Sequence, residues 1–123
     1  MKIEIEVKDE SIRELVRDVM QNQPEYSAGM ALQCRKWDYD DCHYIFDDVE
    51  AGVGVEDSRL ISYELDEAAL VKGMELMLKG IATDELHFYG MDGLAAALNP
   101  CAWDADSVDA LVQMACMGKV IYG

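Results

Sequence analysis

The chain has 123 residues, 51% of them hydrophobic, the size of a single domain with one core of ordinary extent. Twenty-five acids against ten bases give a net charge of −15, a field that repels nucleic acid and anionic membranes and attracts basic partners. No stretch approaches about 18 apolar residues, and the charged start MKIEIEVKDE lacks the apolar core of a signal peptide, so a cytoplasmic protein is expected.

KIEIEVK alternates, with Ile3, Ile5 and Val7 on one face and Glu4 and Glu6 on the other, which predicts a strand. DESIRELVRDVMQNQ then places Ile12, Leu15, Val16, Val19 and Met20 at helical spacing. Asp9 or Ser11 can cap this helix, and Pro24 forbids its continuation. YSAGMALQCRK alternates again, with Tyr26, Ala28, Met30, Leu32 and Cys34 sharing a face. WDYDD reads as a turn, CHYIFDDVE as the returning strand, AGVGVEDS as a loop and RLISYEL as a further strand. Asp66 opens DEAALVKGMELMLKGI, whose apolar stripe is Leu70, Met74, Met77, Leu78 and Ile81. A helix through Phe88, Met91, Leu94, Ala95 and Leu98 ends at Asn99 and Pro100.

Asp106 is expected to cap SVDALVQMACM, which turns Val108, Leu111, Val112 and Ala115 inward and stops at Gly118. KVIY closes as a short strand, with residues 3–7 and 119–122 expected as neighbours. The order implies a single α+β domain over residues 1–123, a mostly antiparallel sheet of four or five strands with about four helices packed on it.

No enzyme signature breaks this pattern. There is no G-x-S-x-G, Walker loop or dinucleotide fingerprint, and His43 and His87 stand outside any metal-binding spacing. DYDDCH begins like a calcium loop, but its sixth position is His43 and its twelfth Val49, where such a loop needs glycine and glutamate. The four cysteines, Cys34, Cys42, Cys101 and Cys116, form no C-x-x-C pair. Free buried thiols are expected, the alternative being a Cys34–Cys42 disulfide across a hairpin. Neither a metal nor a cofactor is expected.

The acids are unevenly placed. Residues 37–58 hold eight acids and no base, and WDYDDCHYIFDDVE alone packs six carboxylates into fourteen positions. On a strand, alternate side chains of one face lie about 6.6 Å apart, and a DNA strand shows a phosphate about every 3.4 Å of axis. Asp38 with Asp40, and Asp48 with Glu50, have the alternate spacing. Such rows can approximate a phosphate field, although a solvated sheet edge produces the same composition. The expected contact surface is Trp37, Asp38, Tyr39, Asp40, Asp41, Asp47, Asp48 and Glu50, with the tyrosine and tryptophan as anchors. Asp104, Asp106 and Asp109 make a second patch, for which helix capping is the plainer account.

DALVQMACMGKVIYG, with VKGMELMLKG upstream, resembles small proteins of bacteriophages and prophages that end in a helix, glycine, one polar residue, a short apolar run and Tyr-Gly. The resemblance implies a phage source and no active site. In being small, acidic and poor in motifs, the chain is also similar to anti-CRISPR and anti-restriction inhibitors, several of which act as DNA mimics. The implied function is a non-enzymatic inhibitor that binds a basic host protein, a CRISPR–Cas or restriction component, without touching nucleic acid or membrane. An immunity protein against a basic nuclease toxin has the same physics, and a small phage enzyme or metal-binding protein is the third class. A homodimer stays open.

Overall fold

The computed structural model describes residues 9–21, 27, 30–49, 61–82 and 97–122. Helix α1 (Asp9–Met20) buries the expected stripe of Ile12, Leu15, Val16, Val19 and Met20 and exposes Arg13, Glu14, Arg17 and Asp18. Full burial of each such aliphatic side chain stabilises the fold by about 1.5–3 kcal/mol before entropy is counted. The helix begins at Asp9, so Ser11 lies inside its first turn and does not cap it.

Strands β1 (Leu32–Asp38), β2 (His43–Asp48) and β3 (Ile61–Leu65) form an antiparallel sheet in the order β1-β2-β3. The register pairs Cys34 with Phe46 and Lys36 with Ile45, leaving Arg35 as the extra residue of a bulge. Directly opposed residues share a face, so Phe46 with Tyr63 and Tyr44 with Leu65 line the core side. Of the expected alternation over Tyr26–Cys34, Tyr26 and Ala28 lie outside the described residues, Met30 precedes β1, and the strand carries Leu32 and Cys34 before the bulge ends the pattern one residue later.

Helix α2 (Glu67–Ala82) starts where Asp66 Oδ1 accepts the Ala69 N–H at 2.8 Å. All five residues of its expected stripe, Leu70, Met74, Met77, Leu78 and Ile81, are buried. Helix α3 (Ala105–Met117) packs against it, with Gly73 facing Ala115. The cap of α3 is Asp104, whose Oδ1 accepts both the N–H and the hydroxyl of Ser107 at 2.8 Å. The expected cap, Asp106, stands exposed in the first turn instead. Gly118 ends the helix in the left-handed region, at φ 73°. Ahead of α3, Asn99 caps a short 3-10 turn, Pro100–Ala102, and Trp103 Nε1 donates to the Ala97 carbonyl at 2.8 Å.

The expected four or five strands and four helices are reduced to three strands and three α-helices among the described residues. Residues 3–7 and most of the helix expected from Phe88 to Leu98 lie outside them. KVIY is described and forms no strand. One side chain takes the place of a strand partner there. Gln113, fully buried, accepts the Ile121 and Tyr122 N–H groups on Oε1, each at 2.8 Å. Its Nε2 donates to the Tyr122 carbonyl and to Asp109 Oδ2, also at 2.8 Å. All four hydrogen-bonding positions of that amide are filled. An apolar alternation is equally compatible with a tail pinned this way, because a side-chain amide offers the same donor and acceptor as a neighbouring strand.

Candidate functional site

The β1–β2 turn carries the exposed end of the acidic stretch. Asp38, Asp40 and Asp41 are exposed, flanked by Trp37 and Tyr39, which keep 47% and 44% of their surface in solvent. Asp38 Oδ1 accepts the amides of Asp40 and Asp41 at 3.0 and 3.2 Å, the local closure that makes aspartate a turn residue. Cys42 completes the turn at φ 50° and donates its N–H to the Tyr39 carbonyl at 3.3 Å. A non-glycine residue there is uncommon and is held by burial of its side chain. Tyr39 meets Tyr44 edge-on with centroids 6.3 Å apart, and Tyr44 stacks on Phe46 at the same distance. The turn is therefore anchored into the core by a row of rings.

Because Tyr44 pairs with Leu65, the β3–α2 junction lies at this end of the sheet and adds Glu64, Asp66 and Glu67 to it. His43 Nε2 lies 2.7 Å from Glu64 Oε1. Arg17 of α1 reaches in from behind, its Nη1 donating to the Asp40 carbonyl at 3.3 Å and its Nε to Glu67 Oε2 at 2.6 Å. None of Arg17, His43, Glu64 and Glu67 is marked in the sequence as part of one site. Only the capping position of Asp66 signals that a helix begins here.

The remaining expected contact residues sit elsewhere. Asp47 and Asp48 are buried, with 9% and 2% of their surface exposed, which removes both from any free acidic row. Asp47 takes the bulged Arg35 on both oxygens, at 3.0 and 3.2 Å, and the Ser62 hydroxyl at 2.6 Å. Asp48 accepts the Tyr122 hydroxyl at 2.9 Å on the core side of β2. Glu50 lies outside the described residues. Asp104 is occupied as a cap, as the plainer account holds. Asp109 is half-buried; its Oδ2 accepts from Gln113, its Oδ1 is buried without a partner among the described residues, and burial, aided by Asp106, raises its pKa.

Asp48 and Asp109 both lie near Cys116, whereas the turn lies at the other end of β2. A six-residue strand separates its ends by about 17 Å. The exposed turn and Asp109 of the second expected patch therefore lie apart, while Asp48 of the first lies toward Asp109.

All four cysteines are free thiols; Cys42 is buried, Cys34 and Cys116 are half-buried, and Cys101 is exposed rather than buried as expected. Burial pushes the Cys34 thiol up to about 11 and, with Asp48 and Asp109 adding to it, the Cys116 thiol up to about 12. Burial likewise raises Cys42. Since the thiolate is the reactive form, a thiol reagent at neutral pH reacts with Cys101 rapidly and with the other three slowly. After unfolding without reductant, four equivalents are expected. Two equivalents would mean a disulfide and refute the free-thiol assignment.

Among the described residues no three of His, Cys, Asp and Glu converge to hold a metal ion. No helix among them is long and apolar enough to cross a membrane. A shallow groove of about 430 Å³ between α1 and α2 is lined by Arg13, Glu67, Ala68, Val71, Lys72 and Glu75. These charges balance, and the lining contains no serine, cysteine or histidine. Fold and site together describe an α+β protein with one acidic, aromatic-flanked turn at an end of its sheet. The chain matches no protein-family model, no curated protein and no solved structure.

Proposed function

We propose that the protein is a non-enzymatic inhibitor that covers the nucleic-acid-binding surface of a basic partner through the β1–β2 turn. The observation that carries this reading is the turn itself. Asp38, Asp40 and Asp41 are exposed and make no ion pair among the described residues, while Trp37 and Tyr39 beside them remain half exposed. Tryptophan and tyrosine are among the residues enriched at interaction hot spots. With a net charge of −15, direct binding to nucleic acid is opposed and capture of lysines and arginines is favoured. The resemblance of the C-terminal pattern to phage and prophage proteins supports a CRISPR–Cas or restriction component as the partner.

Replacing Asp38, Asp40 and Asp41 together by asparagine tests this. Asparagine retains the acceptor that closes the turn, so the melting temperature holds, or rises as self-repulsion falls. Truncating buried interfacial pairs costs about 2–5 kcal/mol, against about 1 or less for exposed rim pairs. Affinity for a basic partner pulled down from the host therefore drops at least about tenfold, most at low salt, and nucleic acid competes with the wild-type protein. Unchanged affinity without competition would reject the reading and leave these aspartates as a solvated edge.

A further inference from the structure

Arg17 stands against the acidic turn, yet its charge is directed away from the turn's carboxylates. Its Nε and Nη2 both contact Glu67 Oε2, at 2.6 and 2.5 Å, so the guanidinium charge is met by a carboxylate of α2. Arg13 approaches the other oxygen of the same carboxylate at 3.9 Å. What Arg17 offers the turn is its remaining nitrogen, Nη1, on the backbone carbonyl of Asp40. We propose that Arg17 is a positioning residue of the interaction site: it fixes the turn's backbone from α1 while Glu67 absorbs its charge, leaving Asp38, Asp40 and Asp41 free for a cationic partner. This rests on the reading of the turn as the contact surface.

A lysine carries its three donors on one nitrogen, so it cannot give Glu67 two donors from separate nitrogens while a third nitrogen reaches the Asp40 carbonyl, as the planar fork of Arg17 does. Without the bond to Asp40, the turn keeps the Asp38 closure, the Cys42–Tyr39 bond and its ring contacts but loses the hydrogen bond from α1. A surface ordered before binding avoids the entropy of ordering it afterwards, a difference of about three- to tenfold in affinity for a few side chains.

The proposal and simple charge attraction predict opposite results. The probe is a stapled helical peptide bearing arginines on one face, titrated at low salt into the full chain. Arg17→Met removes a positive charge beside the turn, so attraction alone predicts tighter binding; Arg17→Lys keeps the charge and should change nothing. Positioning predicts that both variants bind about three- to tenfold more weakly. Amide exchange at Asp40, Asp41 and Cys42 should also quicken while amides within α2 and α3 keep their protection and the melting temperature moves little. Tighter or unchanged binding by Arg17→Met, or unchanged exchange in the turn, overturns the proposal. If instead the triple asparagine variant binds the peptide as well as wild type, the reading of the turn as the contact surface fails. Exchange at the turn amides then decides alone whether Arg17 holds them.

Discussion

Gln113→Leu is expected to lower the melting temperature more than any exposed substitution and to free the C-terminal tail. Leucine fills a similar volume but offers none of the four hydrogen bonds that Gln113 makes to Ile121, Tyr122 and Asp109. Left buried, each orphaned group would cost about 1–3 kcal/mol, so the cheaper response is for the tail to leave and hydrate its own amides. The loss is then that of four net hydrogen bonds at about 1 kcal/mol each, with the Tyr122 contact to Asp48 lost in addition. A total of about 3–5 kcal/mol is expected, measured by denaturant titration. Amide exchange separates tail release from general loosening: Ile121 and Tyr122 should lose protection first, before residues in the middle of α3. A variant as stable as wild type, with its tail amides still protected, would refute the clamp.

The second large effect is at the crossing of α2 and α3. A Cβ added at Gly73 would stand 2.8 Å from Ala115 Cβ and 2.9 Å from its Cα and N. Two of these are backbone atoms, which cannot swing aside as the end of a side chain can, so the helices must separate. Overpacking costs about 1–3 kcal/mol, while alanine in place of a mid-helix glycine returns roughly 0.5–1 kcal/mol of helix propensity. Gly73→Ala should therefore be destabilising by about 1–2 kcal/mol, and Gly73→Val, with two further methyl groups and poorer propensity, by more. In a chain of this size each kcal/mol lowers the melting temperature by roughly 3–6 °C. Adding Ala115→Gly to Gly73→Ala relieves the Cβ contact but not the two backbone contacts, so rescue should be partial. Full rescue, or a Gly73→Ala variant that melts higher than wild type, would show that the helices separate at no cost.

Much of this architecture is legible in local pattern. The stripes of α1 and α2 are buried residue for residue, because helical spacing alone decides which side chains share a face. Asp66 as a cap, Gly118 as a stop and a turn within WDYDD follow from backbone chemistry within a few residues, although the turn runs one residue further, through Cys42. The acidic surface is different. Asp38, Asp47 and Asp48 are the same residue type in the same acidic run, yet the first is exposed and the other two are buried.

What separates those aspartates is supplied from elsewhere in the chain. The bulge that aims Arg35 at Asp47, the Ser62 hydroxyl on β3 and Tyr122, 74 positions beyond Asp48, each depend on register or on the return of a distant segment. Likewise Gln113 supplants the strand that KVIY suggests, and Arg17 meets the turn only because α1 packs behind it. Composition and short-range periodicity determined that this is an acidic α+β chain with a carboxylate-bearing turn. Tertiary structure alone decided which carboxylates remain available, because exposure and pairing are set by which distant groups arrive at each one, and no local spacing encodes that.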